Sequence, residues 1–422
     1  VRRRTFFVWH SWLGLTAGLL LFVICWSGTV AVFSRELDWL ADPRLRAPAS
    51  QDVAWQAIAE DFAAENPGWR LNAIHAPLAP GFAAELWVAD PDDVMHRAWA
   101  DPGSGEIFAT VSYFNVERFF RSLHMMLFIS EWRVWEIPAG YWIVGLSAFV
   151  LATSLVTSMV FYKRFWRGFF KLETRKGAKV LWSDLHKLTG LWSLWFTTMI
   201  AATGMWYLVE WKVTSEAPVP GPPAAEASVP RTLPIAALVA AAERAYPALE
   251  VRTVALDQLG SGLFEVHGQD GALLVRDRGA RVWLDARDGR TLAVRRTADL
   301  GPLHRWIDTA DPLHFGNFAG LWSKVVWFVF GLGLSGLCLT GTYLQAKRQQ
   351  RQGLAGYRTP VLAAYATTGL TLLAASWFGY RELLSFGTDG RLPAVPSGVL
   401  AVVVIFLAST LTALALWVRS VR

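Results

Sequence analysis

The sequence predicts a predominantly α-helical integral membrane protein with about six transmembrane helices and an internal repeat, carrying two small α+β modules outside the bilayer. Three observations predict it. Hydrophobic residues fill 53% of the 422 positions and charged residues only 18%. Six apolar runs, about 8–33, 139–162, 183–209, 321–344, 360–378 and 396–418, reach the ~18 residues that a helix needs to cross a hydrocarbon core. One unit is also written twice: His10, Gly14 and Gly28 recur at the same spacing as His186, Gly190 and Gly204. Each unit is followed by a polar stretch and a second histidine, His124 or His314, before the chain re-enters an apolar run. Four histidines at four helix ends point to a metal cofactor held within a bilayer.

Taken in order, residues 1–33 are the first span. Its apolar run from Phe6 to Phe33 exceeds the ~7–15 residues of a signal-peptide core, and no small-residue cleavage site follows, so it reads as a retained anchor. Residues 34–120 form the first module, and 121–162 the His124 segment with the second span. Glu131, Arg133, Glu136 and Pro138 separate His124 from that span, which marks its segment as a short separate or re-entrant helix. A basic loop follows at 163–182, then the third span at 183–209, the second module at 210–310 and the fourth span at 311–345. Residues 346–422 hold another loop and the last two spans.

Orientation follows from lysine and arginine in the short loops. Arg2, Arg3 and Arg4 precede the first span, while Lys163, Arg164, Arg167, Lys171, Arg175, Lys176, Lys179 and Lys187 cluster between the second and third. Lys347, Arg348, Arg351 and Arg358 mark the next loop, and Arg419 and Arg422 the end of the chain. These segments, and so both termini, are expected in the cytoplasm, with the modules on the opposite side. The net charge of +6 is then explained by topology and gives no reason to invoke nucleic acid. The 23 tryptophans gather near the ends of the runs (Trp9, Trp12, Trp182, Trp192), as interfacial anchors do. With only two cysteines, Cys25 and Cys338, both inside spans, a disulfide framework and a cysteine metal site are excluded.

Each module opens with an alanine-rich helical stretch, Trp55 to Glu65 or Leu233 to Tyr246, closed by Pro67 or Pro247. Alternating apolar residues then predict strands: Phe82, Leu86 and Val88 in the first, Val251, Val254, Phe264 and Val266 in the second. Asp101 with Gly105, and Asp285 with Gly289, read as hairpin turns, since too few carboxylates stand near them for a calcium loop. The proline-rich run from Ala217 to Pro230 reads as a linker. Gly331, Gly333 and Gly336 match a dinucleotide fingerprint, yet they lie mid-span with no strand before them and read as a helix-packing face. No nicotinamide or flavin domain remains.

The stretch Trp9-His10-Ser11-Trp12-Leu13-Gly14, the stretch Asp184-Leu185-His186 with Gly190, and Asp311-Pro312-Leu313-His314-Phe315-Gly316 with Ala319-Gly320 resemble the PepSY-associated transmembrane family. That family includes inner-membrane ferric-siderophore reductases of Gram-negative bacteria, and the resemblance covers roughly residues 5–345. It implies PepSY-like modules in the periplasm, haem as cofactor and ferric iron in a siderophore or other ferric chelate as acceptor. A membrane quinol or a cytoplasmic reductase would supply electrons.

Topology pairs the histidines. His10 and His186 each begin an inside-to-outside span, whereas His124 and His314 each precede an outside-to-inside span. About 20 residues of helix cover ~30 Å, so ligands at opposite boundaries cannot share one iron. The expectation is therefore two bis-histidine b haems, an inner one on His10 and His186 and an outer one on His124 and His314, with His304 as substitute for the outer site. Gly14 and Gly190, one turn beyond their histidines, would let a flat porphyrin approach the backbone. Arg121, Arg305 and Lys324 are outer candidates for the propionates, and Arg3, Arg4 and Lys187 inner ones. His75, His96 and His267 read as surface residues of the modules. No side-chain acid or base is needed for the expected reaction, a haem-dependent one-electron reduction. The alternative is a non-catalytic reading in which the modules bind a peptide or regulate a peptidase and the spans are an anchor or signalling element.

Overall fold

A computed structural model describes residues 2–162, 165–216, 233–256, 262–351 and 358–421. The first helix is α1 (Arg2–Ala31), followed after a two-residue turn by the short, polar α2 (Ser34–Ala41). The first module is α3 (Trp55–Glu65) with β1 (Arg70–His75), β2 (Ala84–Ala89), β3 (Met95–Ala100) and β4 (Ile107–Ser112). Then come α4 (Val116–Met126), a small hairpin of β5 (Arg133–Val134) and β6 (Ile137–Pro138), and α5 (Ala139–Phe161). The same order recurs: α6 (Ala178–Trp192) and α7 (Leu194–Glu216), then α8 (Ile235–Ala245) with β7 (Glu250–Ala255), β8 (Leu263–Gln269), β9 (Ala280–Asp285) and β10 (Thr291–Arg295). It closes with α9 (Pro302–Phe315) and α10 (Gly320–Arg351), after which α11 (Arg358–Leu384) and α12 (Ser397–Val421) have no counterpart.

Five described helices, α1, α5, α10, α11 and α12, are long and apolar enough to cross a membrane. Half of the apolar window of α1 is buried against protein, compared with 17–28% in the other four, so α1 is the central helix. The sixth predicted run, 183–209, is a broken pair rather than one helix. Its break is at Ser193, where the backbone leaves helical geometry for one residue at φ −91° and ψ 10° before α7 begins. The expected packing face is borne out in part: a Cβ added at Gly331 would meet Thr29 of α1 and one at Gly333 would meet Thr189 of α6, whereas Gly336 has nothing within 4 Å. Lys163, Arg164, Arg422 and the run from Ala217 to Pro230 lie outside the described residues.

The two modules are not separate units. Their strands form one antiparallel sheet in the order β10-β9-β8-β7-β1-β2-β3-β4. The junction pairs Ala73 with Ala255, Ile74 with Val254 and His75 with Thr253. Each four-stranded module alone would expose the edge of β1 or β7, and pairing the two edges removes that liability. Both α3 and α8 lie on one face, where Ile58, Phe62, Leu86, Leu238, Phe264 and Val282 make a common core. Because side chains alternate along a strand, the other face carries His75, Glu85, Arg97, Thr253, Glu265 and His267.

That polar face looks onto the helices and is tied to both halves of the bundle. Arg97 pairs with Glu85 beside it and with Glu117 of α4 at 2.9 Å, and Arg35 of α2 reaches Glu85 at 2.9 Å. In the second half Arg295 of β10 pairs with Asp308 of α9 at 2.6 Å, and Arg276, in the β8–β9 loop, lies 3.4 Å from Glu210 of α7. Burial pushes the Glu85 carboxyl up, but the Arg97 and Arg35 guanidiniums outweigh it and hold the group at about 2. His75, His96 and His267, expected at the surface, are instead half-buried on strands. His75 bonds Thr253 at 3.0 Å and His96 bonds Asp90 at 3.0 Å, while His267 lies 2.8 Å from Glu265. Sequence spacing could not reveal the partners of His75 and His96, which come from a neighbouring strand and a turn, whereas Glu265 stands two residues before His267 on β8 itself.

Candidate functional site

Two short helices deliver histidines to the sheet side of the bundle. The first, α4, is held at its N-terminus by the Asn115 side chain, which accepts from Arg118 N–H, and by Asp38 of α2, which accepts from Val116 and Glu117 N–H at 2.7 and 2.9 Å. It ends at Leu127 in the left-handed region, φ 51°, with His124 in its last turn. The second, α9, ends at Gly316, φ 68°, where an added Cβ would fall into the Trp327 ring, so only glycine serves there. Pro312 inside α9 has no N–H to offer the Asp308 carbonyl one turn back, and the Arg276 backbone N–H takes its place at 3.1 Å. The proline of the Asp-Pro-Leu-His stretch thus opens an acceptor by which the second module grips α9.

All four histidines are fixed through Nδ1. His124 donates to the Ile24 carbonyl at 2.9 Å and His10 to the Ser154 carbonyl at 2.9 Å. His314 meets Thr203 Oγ1 at 2.8 Å, and that hydroxyl spends its own hydrogen on the Met199 carbonyl at 2.8 Å, so it accepts from Nδ1. Likewise His186 meets Thr340 Oγ1 at 2.9 Å, whose hydrogen goes to the Gly336 carbonyl at 2.7 Å. In every case Nδ1 carries the proton and Nε2 keeps its lone pair. Among the described residues no protein group hydrogen-bonds any of these four Nε2 atoms. An imidazole with Nδ1–H anchored and Nε2 free is the form that binds a metal.

The rings of His124 and His314 face one another with centroids 6.0 Å apart and planes 37° apart. Two metal–nitrogen bonds of ~2 Å, plus roughly 1 Å from each nitrogen to its ring centre, put two opposed imidazoles about 6 Å apart around one metal. They border a cavity of about 980 Å³ that runs from Leu21, Gly331 and Leu334 in the bundle to His75, Thr253 and Gln269 on the sheet. That volume lies at the upper end of the ~300–1,000 Å³ usual for cofactor pockets. Gly28 lies directly beneath His124, since an added Cβ would come within 2.5 Å of the ring. Among the described residues no three His, Cys, Asp or Glu side chains converge to hold a bare metal ion. Two imidazoles alone leave four positions open, and a porphyrin supplies four nitrogens of its own, so this donor set fits haem.

His10 and His186 lie at the other end of the bundle, close enough to interact electrostatically. From His10 to Ile24, where His124 docks, are 14 residues of α1 (24 minus 10), about 21 Å of helix at 1.5 Å per residue. The histidines therefore form two levels, each drawn from both halves of the chain. Gly14 has nothing within 4 Å of an added Cβ and Gly190 only Leu337 at 3.8 Å, so there is space beside both. Gly341 lies against the His186 ring, 3.1 Å from an added Cβ. His314 stands opposite His124, while His304 sits in the first turn of α9 with its Nε2 buried and unpartnered. Of the cations named for propionates, Arg121 and Lys324 line the cavity, Lys324 paired with Glu36 at 2.5 Å and Arg121 3.7 Å from Glu117. Arg305 instead bonds the Leu273 carbonyl, and Lys187 pairs with Asp184 at 2.9 Å.

Several residues escaped the sequence reading. Tyr207 packs edge-on to His314, centroids 5.1 Å apart, and donates to Asp311 at 2.8 Å. Arg276 and Arg278 reach the same Asp311, at 3.4 and 3.9 Å. Ser27 and Thr203, by contrast, had a signal. Each follows its unit's first histidine by 17 positions (27 minus 10, 203 minus 186) and precedes the repeated glycine, and each contacts the Nδ1 of a sheet-side histidine.

A family model described as the PepSY-associated TM region matches residues 7–348, taking in all four histidines and both modules but neither α11 nor α12. A curated protein of Pseudomonas aeruginosa, named only as uncharacterized, is 26% identical over 253 residues. The match covers 54% of this chain and 62% of that relative, so the chain spans less than two thirds of the relative's length.

Proposed function

We propose the following function on the ground that the chain belongs to the PepSY-associated transmembrane family: it is a di-haem electron-transfer protein of the bacterial inner membrane that reduces ferric iron in a siderophore or similar chelate. The observation that carries this reading is the opposition of His124 and His314 at 6.0 Å, each with Nδ1 anchored and Nε2 free. His124 and His314 would hold one haem b, His10 and His186 the other. Bound there, the two groups supply one-electron carriers at two depths of the bilayer.

The chain's own residues do the rest. The Ile24 and Ser154 carbonyls and the Thr203 and Thr340 hydroxyls orient the rings and make the imidazoles more basic. Arg121 and Lys324 offer charge for propionates. In this reading α6 and α7 together make the sixth crossing, the basic loops and termini are cytoplasmic, and the sheet is periplasmic. The cavity between sheet and bundle then gives the acceptor its approach to the sheet-side site. Hard oxygen ligands hold ferric iron more tightly than ferrous iron, so accepting one electron favours release. A quinol or a cytoplasmic reductase supplies the electron, and no acid or base need act.

The test is a visible absorption spectrum of the purified protein, oxidised and dithionite-reduced, after expression with ample haem. The expected result is a reducible Soret band and α band, with re-oxidation on anaerobic mixing with a ferric chelate. A protein without those bands refutes the haem reading, and one that keeps them reduced before a panel of ferric chelates refutes the acceptor.

A further inference from the structure

The helices α11 and α12 lie beyond the matched segment and carry no histidine, yet they press on the helix that bears His124. Glu382 of α11 accepts through Oε1 from Arg118 Nε and from Ser122 Oγ, both of α4 and both at 2.7 Å. Its second oxygen, Oε2, is buried without a partner. A carboxylate so enclosed is held in place by Arg118, the cation it is paired with. One turn along α11, Gly379 lies against Phe128 just past the end of α4, where an added Cβ would come within 3.2 Å. From α12, Phe406 meets the rings of Phe119 and Phe120 at 6.0 and 4.8 Å.

The faces of α4 give these contacts a direction. Arg118 and Ser122 are four residues apart and share one face. His124 follows Ser122 by two residues, about 200° round the helix, so it leaves from nearly the opposite face. There it meets the Ile24 carbonyl and Ser27 of α1. The short α4 is thus gripped between α11 on one side and α1 on the other, and its rotation about its own axis decides where the His124 ring stands.

We propose that Glu382 is a positioning residue, which sets the rotation of α4 and through it the placement of His124 for the sheet-side haem. This rests on the haem reading above. With Glu382 reduced to Ala, Arg118 and Ser122 lose their shared acceptor, while the histidines at the far end, His10 and His186, keep all their contacts. Glu382→Gln retains the Oε1 acceptor and with it both bonds.

The experiment compares the full-length parent, Glu382→Ala and Glu382→Gln by redox titration and by electron paramagnetic resonance of the oxidised haems, with amide hydrogen exchange over residues 116–126. Glu382→Ala is expected to shift the potential and resonance of one haem, or to lower haem per protein from two towards one. The other haem stays as in the parent, exchange across α4 rises, and Glu382→Gln behaves as the parent. Two haems unchanged in Glu382→Ala would overturn the positioning role, and so would equal disturbance of both, which would mean general loosening. A parent without haem would overturn the underlying reading instead. Hydrogen exchange would then still judge the grip on α4, and unaltered exchange would overturn it.

Discussion

The two ends of the bundle anchor their histidines by the same rule and support them in different ways. At the far end His10 is part of the 30-residue α1, and His186 of the 15-residue α6, which passes into the 23-residue α7 after the single residue Ser193, so both are carried by membrane-length stretches of helix. At the sheet side His124 and His314 ride on α4 and α9, of 11 and 14 residues, lengths at which a helix depends on caps and packing for its stability. Those caps and ion pairs come from α2, the sheet and α11, so three distant parts of the chain decide the sheet-side geometry. The lesson is that the sheet-side site is adjustable and the far site is built in.

The sharpest way to break this contrast is Arg97→Ala. It removes the cation that Glu85, 3% exposed, shares with Glu117; Arg35 still reaches Glu85 at 2.9 Å, so the cost falls below the about 3–5 kcal/mol of stranding a buried charge outright. A lowered melting temperature is expected, with the His124/His314 haem lost at lower temperature than the far one. Equal loss of both would erase the distinction between the ends.

Acid should act on the same side. Burial holds the His75 imidazole down at about 4, with Glu85 opposing and Arg35 and Arg97 adding to the effect, against an ordinary 6.5. Between those values the unfolded chain binds the proton that the folded chain refuses, so stability rises with pH across this window. The contribution is complete above 6.5 and lost as pH falls to 4, with a ceiling of about 3 kcal/mol at ~1.4 kcal/mol per unit. Melting curves of His75→Asn should be flatter than the parent's over that range, and an equally steep curve would remove His75 as the cause. A smaller effect is expected of Asp38→Ala, which strips two N–H acceptors from the start of α4. Loss of about 1 kcal/mol, typical of a cap, should appear as faster hydrogen exchange in α4 with exchange near His10 unchanged.

Much of this arrangement was legible in the sequence. The helix Trp55–Glu65 lies where its alanine-rich stretch ends before Pro67, and His124 rides on a separate short helix as its flanking charges required. The equal spacing of His10 and His186 with their glycines brought those two histidines to one level, because the spacing of a helical repeat is preserved in the fold. Other features leave no periodic trace. The β1–β7 junction is a contact between residues about 180 positions apart, and Glu382 meets Ser122 across 260. The break at Ser193 is a departure of a single residue from helical backbone, which hydropathy averages away.

The central claim is that each haem bridges the two halves of the repeat. It is tested most directly by redox titration of the four single variants His10→Ala, His186→Ala, His124→Ala and His314→Ala, each against the parent. The account predicts two components, of which His124→Ala and His314→Ala abolish one and His10→Ala and His186→Ala the other. If His10→Ala and His124→Ala instead remove the same component, each haem lies within one half and the account is wrong.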